Sequence, residues 1–239
     1  MKRTEIWGPF ERMRPAQIEA ITHSYPIAYL PWGALEYHGV HNPTGLDSIK
    51  AYGMATDLAR RVGGIVFPVV HAAANLISSY PLCDFKQHSI EFSEELIRMM
   101  CREYLQQLFN QEYKIIVLLT GHAGEPHIDI LKEVAQEFNK KYSDKYVWAL
   151  AEFDIVPDEV LVANHSAIGE TALQLHYAPE TVALDLLPQN GDITLEEHAV
   201  SGEDPRPATA EMGKEILNIF LENATKELNI LIPKYITNH

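Results

Sequence analysis

Between Glu36 and Asp47 the chain carries four side chains able to hold a divalent cation: Glu36, His38, His41 and Asp47. Backbone punctuation separates them, with Gly39, Pro43 and Gly45 inside the stretch and Gly33 just before it. Carboxylate and imidazole together form the ligand set of zinc, manganese or iron(II). Glu36 and His38 are two apart, a spacing that puts both on one face of an extended backbone. The glycines let the chain turn and bring Asp47 back towards the same point. The plain alternative is a polar surface loop. Four potential ligands in twelve positions, directly after an apolar strand-like run, weigh against it.

Two further polar groups stand out. His122 lies in the turn Gly121-His122-Ala123-Gly124, straight after the apolar run Lys114 to Thr120. Glu125 either belongs with it or simply opens the next helix, where a carboxylate favours the dipole. His165 and Glu170 interrupt an otherwise apolar region, and either could supply a last ligand or the proton-transfer group. The plain reading of that pair is a hydrogen-bonded histidine beside a helix-opening glutamate. His71, His88, His127, His176 and His198 lack metal-like spacing and read as surface or core residues. The chain has no GxSxG elbow, no GxxxxGK[ST] loop and no GxGxxG after a strand. Cys83 and Cys101 have no histidine partner in sequence, and a two-carboxylate glycosidase would not need the clustered histidines.

The elements that must position these groups alternate. A short helix over 14–22, with Pro15 in its first turn, precedes the strand Ile27 to Leu30. A helix from Ser48 to Val62 has apolar positions at Ile49, Met54, Leu58 and Val62 and ends at Gly63-Gly64. Ile65 to Val70 reads as a second buried strand in which Pro68 leaves pairing on both sides open. Residues 71–92 form a long polar connection of the kind that carries function. Ser93 caps a helix running to Asn110. Lys114 to Thr120 is the clearest buried strand, followed by a helix from His127 to Lys141 and a strand from Tyr146 to Phe153. A short helix is expected over Ala172 to Tyr177, an extended excursion over 185–207, and a closing helix from Ala208 to Leu228. Such alternation implies an α/β fold with a mainly parallel sheet and right-handed crossovers. Ligands in such sheets bind at the carboxyl ends of the strands, where Glu36/His38 and His122 both fall. No repeat or linker divides the chain, so residues 1–239 are read as one domain.

Composition excludes several classes. At 239 residues the chain can bury roughly 70% of its unfolded surface and needs no staple. A formal charge of −14 argues against nucleic acid or an anionic membrane surface as partner. Two cysteines without a CxxC exclude a disulfide framework and disfavour a cysteine zinc site. No apolar leader or membrane-length apolar stretch is present, and the expected location is cytoplasmic.

The stretch LPWGALEYHGVHNPTGLD resembles the signature of the creatininase (creatinine amidohydrolase) family, in which a strand leads to Glu-x-His-Gly-x-His-x-Pro and then Gly-x-Asp. TGHAGEP is similar to its Asn-Gly-His-Gly-Gly-Asn motif. NHSAIGETALQL resembles its His-Ala-Gly-Glu-x-Glu-Thr-Ser segment, with His165 and Glu170 keeping the interval. GEDPRPATAEMGKEIL resembles its closing helix. The resemblance implies a three-layer α/β/α fold, a hexamer, and one or two divalent ions (zinc, manganese or iron) per chain. By position it implies Glu36, Asp47 and His122 around one ion, and His38 with a bridging Asp47 around a second. The further carboxylate that creatininase places two positions after its histidine falls here on Gly124, so Glu170 or Glu125 must serve. His165 matches the histidine proposed to move protons to the leaving group. Leu161 and Ala123 stand where creatininase has a tryptophan and a tyrosine, and His88-Ser89 where the family has Gly-Thr, which disfavours creatinine itself.

The function expected is therefore hydrolysis of a small cyclic amide by a metal-activated water, with His165 and Glu170 as proton-transfer candidates. Glu36, His38, Asp47, His122 and Glu170 are the expected ligands, and His41 and Glu125 possible supporting or substrate-contacting residues. Ring opening of a keto-cyclitol on the same site is the alternative, and a non-catalytic metal or small-molecule binding protein is the alternative from another class.

Overall fold

The computed structural model describes residues 5–81 and 83–236. Six parallel strands form one sheet: β1 (Trp7–Pro9), β2 (Ile27–Gly33), β3 (Gly64–Val66), β4 (Val70–His71), β5 (Ile115–Thr120) and β6 (Tyr146–Ala151). Their order is β1-β3-β2-β5-β6, with β4 also paired to β2. β2 and β5 are buried along their whole length, as parallel strands covered on both faces must be.

Alternation along the strands divides the apolar side chains between two layers. Ala28, Leu30 and Trp32 of β2, with Ile116 and Leu118 of β5, face the helices α1 (Pro15–Thr22), α3 (Glu94–Asn110) and α4 (His127–Lys141). Ile27 and Tyr29, with Ile115, Val117 and Leu119, face α2 (Leu46–Val62), α5 (Ile168–Tyr177) and α7 (Ala210–Tyr235). The result is the three-layer α/β/α arrangement that the family resemblance implies. A four-residue helix, α6 (Leu195–His198), lies in the polar excursion before α7.

Several boundaries differ from expectation, each for a local reason. The second strand breaks at Pro68 into β3 and β4. The Tyr29 carbonyl accepts from the Phe67 N–H, so Pro31, two residues on, faces the same side. Two prolines, neither with an N–H to donate, thus meet at the gap in the ladder. β6 stops at Ala151, and Glu152 to Asp154 form a 3-10 turn in which the Asp154 carboxylate accepts from the Ala151 N–H. α5 begins at Ile168, four residues before the expected Ala172, with Thr171 N–H bonding to the Ala167 carbonyl. α7 continues beyond Leu228 to Tyr235 because its buried stripe continues through Leu231. In α2 the buried face is Leu46, Lys50, Met54 and Leu58, while Ile49 and Val62 are only half-buried. Among the described residues no helix is long and apolar enough to cross a membrane.

Candidate metal centre

Glu36 and His38 lie in the chain just beyond the carboxyl end of β2, His122 just beyond β5, and Asp47 in the first turn of α2. The α2 N-terminus can approach both strand ends only because glycines face it. A Cβ on Gly33 would lie 2.6 Å from the Ser48 backbone nitrogen, and one on Gly121 would lie 2.1 Å from the Asp47 carbonyl oxygen. Glu170 enters from the first turn of α5. Glu36, His38 and Asp47 are each 1% exposed, and His122 and Glu170 each 5%.

These side chains form two overlapping groups around one carboxylate. Asp47 Oδ2 lies 3.5 Å from His122 Nδ1, which is itself 3.1 Å from Glu36 Oε2. Asp47 Oδ1 lies 3.3 Å from His38 Nε2, which is 3.8 Å from Glu170 Oε2. The sets Glu36/Asp47/His122 and His38/Asp47/Glu170 each bring one ligand atom per residue within 4.8 Å of the others, as does Glu36/His38/His165. Glu36 Oε2, Asp47 Oδ2 and His38 Nε2 are buried and make no hydrogen bond. Buried donors and acceptors left without partners are costly, and lone pairs converging on shared space are what divalent ions satisfy.

Backbone carbonyls fix which imidazole nitrogen faces that space. Nδ1–H of His38 donates to the Glu36 carbonyl at 3.0 Å, Nε2–H of His122 to Ala74 at 3.1 Å, and Nε2–H of His165 to Tyr37 at 3.0 Å. A carbonyl can only accept, so the opposite nitrogen of each neutral ring carries the lone pair, and it points inward. The long connection after β4 also contributes, since the Ile77 N–H donates to Glu36 Oε1. The excursion before α7 clamps the His165 segment through paired backbone bonds between His165 and Ser201, both 2.9 Å.

The electrostatics follow the same geometry. Burial raises the Glu36 and Asp47 carboxyls, but His122 beside Glu36, and His38 and His122 beside Asp47, outweigh it and hold both low. Burial lowers His38 and His122, but Asp47 outweighs it for His38, which is pushed up to about 9. Glu36 and Asp47 raise His122 likewise. His165 goes the other way: burial and the neighbouring His38 lower it, and its ring stacks on that of His38 at 4.4 Å between centroids.

The remaining predicted residues are placed apart from these groups. His41 is buried, with Nε2–H donating to the Ser166 carbonyl at 3.0 Å, and burial pushes it down to about 4. It belongs with Asn42 and Thr171 to the support of the Ser166 turn, whose hydroxyl donates to the His38 carbonyl. Glu125 is exposed and joins none of the three ligand groups. His127, predicted as surface or core, is fully buried against His122. Lys50 and Glu152 were not singled out from the sequence, yet both are buried and linked to Glu170. The available signal was a lysine at the i+4 spacing of Leu46, Met54 and Leu58.

A cavity of about 160 Å³ opens over the cluster, walled by Ile77, Tyr80, Gly124, Asn164 and Ser201 beside the candidate ligands. Among the described residues its lining contains no lysine or arginine. Leu161 is absent from that lining and packs in the core.

The family model for creatininase (creatinine amidohydrolase) matches residues 11–228. The chain belongs to the creatininase family of metal-dependent amidohydrolases. The crystal structure of a creatinine amidohydrolase (creatininase) superposes with a TM-score of 0.78 at 18% identity, covering 98% of this chain and 99% of that one. A creatininase structure labelled Mn gives a TM-score of 0.76 at 18% identity, covering 96% and 99%. A mutant creatininase of Zn-Zn type gives 0.74 at 19%, with the same coverage. At these identities the likeness establishes the creatininase fold. No curated protein matches the sequence.

Proposed function

We propose that this creatininase-family enzyme, acting as one domain, is a dinuclear metallohydrolase that opens a small cyclic amide other than creatinine. The observation that carries the reading is the double-sided environment of Asp47, with one oxygen towards His38 and the other towards His122. In this reading Glu36, Asp47 and His122 hold one divalent ion and His38, Asp47 and Glu170 a second. Ions of this class supply an acidified water and a Lewis acid for the substrate carbonyl.

The chain's own residues do the rest. Nδ1 of His165 faces the cluster 4.0 Å from Glu36 Oε1. Its lowered proton affinity suits a group that accepts a proton from the attacking water and passes it to the leaving nitrogen. The cavity wall also includes Asn164, a polar residue beside which an N–H or O–H of the ring could be seated. The hydroxyls of Tyr80 and Ser201 favour a polar ring, which keeps a keto-cyclitol as the second reading.

Zinc, manganese and iron are the candidate ions, the substrate is a small molecule, and a hexamer is the proposed assembly on family grounds. Elemental analysis of protein purified without added metal, beside Asp47→Ala, tests the reading. Two equivalents per chain, lost in the variant, are expected. Absence of metal under every loading condition would overturn it. Cyclic amides and keto-cyclitols then form the substrate screen.

A further inference from the structure

Directly beneath the proposed second site lies a buried ionic cluster that the reading above leaves unused. Lys50 follows Asp47 by one turn of α2 and is 1% exposed. Its Nζ donates to Glu152 Oε1 and to Glu170 Oε1, both at 2.6 Å. Glu152 stands immediately after β6, is 3% exposed, and accepts from the same ammonium. The other oxygen of Glu170, Oε2, accepts the Ser166 N–H at 2.7 Å and is the one facing His38 Nε2.

Each oxygen of Glu170 is therefore assigned. Oε1 is held by a charge-assisted bond, the stronger kind, and only Oε2 points at the cluster. A glutamate side chain loses considerable rotamer freedom when fixed. A carboxylate on the first turn of a helix, with no such anchor, would sample several rotamers and could turn either oxygen towards a cation. Burying the ammonium beside two carboxylates is costly unless all are paired, and here all three share short bonds. The lysine also acts on charge. Glu36, Asp47, Glu152 and Glu170 put four carboxylates in one dehydrated region, and Lys50 offsets one of them.

We propose that Lys50 is a positioning residue, charge-balanced by Glu152, that locks Glu170 into one-oxygen presentation and so sets the affinity of the second metal position. This rests on the dinuclear reading above. Lys50 touches neither substrate nor metal in this account and acts through Glu170 alone. Outer groups of this kind typically alter metal affinity by about 10–100-fold.

The test is a titration of metal-free protein with Mn2+, followed by calorimetry and by electron paramagnetic resonance. The double variant Lys50→Met/Glu152→Gln removes one positive and one negative charge, so the net charge of the cluster is unchanged and only the anchor is lost. Expected is a first Mn2+ bound as in the wild type and a second bound about 10–100-fold more weakly. The coupled-pair spectrum should then give way to that of isolated Mn2+ ions. Glu152→Gln alone perturbs the same buried network but keeps Lys50 on Glu170, and should retain both ions. It also serves if the double variant fails to fold, because loss of the second ion in this variant would contradict the anchoring role of Lys50. Two ions bound with unchanged affinity by the folded double variant would overturn the proposal while leaving the dinuclear reading intact. A wild type that binds no Mn2+, or only one, would overturn the dinuclear reading itself, and the proposal with it.

Discussion

Gly121 lies so close to Asp47 that a Cβ added there would sit 2.1 Å from the Asp47 carbonyl oxygen. This approach joins the end of β5 to the first turn of α2, and it sets the distance between His122 and the Asp47 carboxylate. Backbone stands on the far side, so no side chain can swing away to make room. Gly121→Ala should therefore cost about 1–3 kcal/mol of stability, as overpacking does. It should also weaken metal binding more than its stability loss alone would, because it separates two ligands. Chemical denaturation alongside metal titration checks both. A variant with normal metal affinity would show that the approach matters only for packing.

His165 is expected to act on protons. Its Nε2–H is tied to the Tyr37 carbonyl and its Nδ1 faces inward. His165→Ala should leave metal content unchanged while turnover on any substrate found falls by about 100- to 10,000-fold. Since His165 also lies in a ligand-sized group with Glu36 and His38, loss of an ion in this variant would reassign it as a ligand.

Metal affinity should rise with pH. In the metal-free protein His38 is displaced from 6.5 to about 9, so its folded pKa exceeds its unfolded one. The stabilisation from protonated His38 is fully present below pH 6.5 and is lost as pH rises through about 9. Ligation needs the neutral ring, so affinity runs oppositely and climbs across the same window. With one proton displaced, the slope approaches about tenfold per pH unit. Calorimetry at neutral pH in two buffers of different ionisation heat would read the proton released. Equal heats in the two buffers would contradict the assignment.

The legible parts were those whose partners are near in sequence. Glu36, His38 and Asp47 share one short stretch, and His122 stands in a glycine turn directly after the clearest strand, so topology alone put them at one sheet edge. The alternating strands and helices likewise gave the mainly parallel sheet, whereas the three layers came with the family resemblance. Other features depend on contacts that local patterns do not encode. Pro31 opposes a break caused by Pro68, some 37 positions later by number, and only the register joins them. Lys50 sits on the buried stripe of α2, but a lone lysine in a helix resembles a solvated one until Glu152 and Glu170 arrive from other elements. The start of α5 was missed because Ile168 and Gly169 look like the end of a loop, whereas the carboxylate of Glu170 bonds back to Ser166.

The choice between Glu125 and Glu170 gives the sharpest single comparison. Both are carboxylates shortly after a candidate histidine, and from sequence either could complete the second position. Glu125 is exposed, and its side chain joins no ligand group. Glu170 is buried, with one oxygen on Lys50 and the other towards His38. Glu125→Gln should leave metal stoichiometry and stability unchanged, as exposed substitutions within about 0.5 kcal/mol do. Glu170→Gln keeps the shape and leaves Lys50 paired with Glu152, yet it removes the charge from the oxygen that faces His38. The second ion should bind about 10–100-fold more weakly, with the first unaffected. If Glu125→Gln instead lost the second ion, the carboxylate would have to swing inward on metal binding, and the ligand set inferred around Asp47 would need to be redrawn.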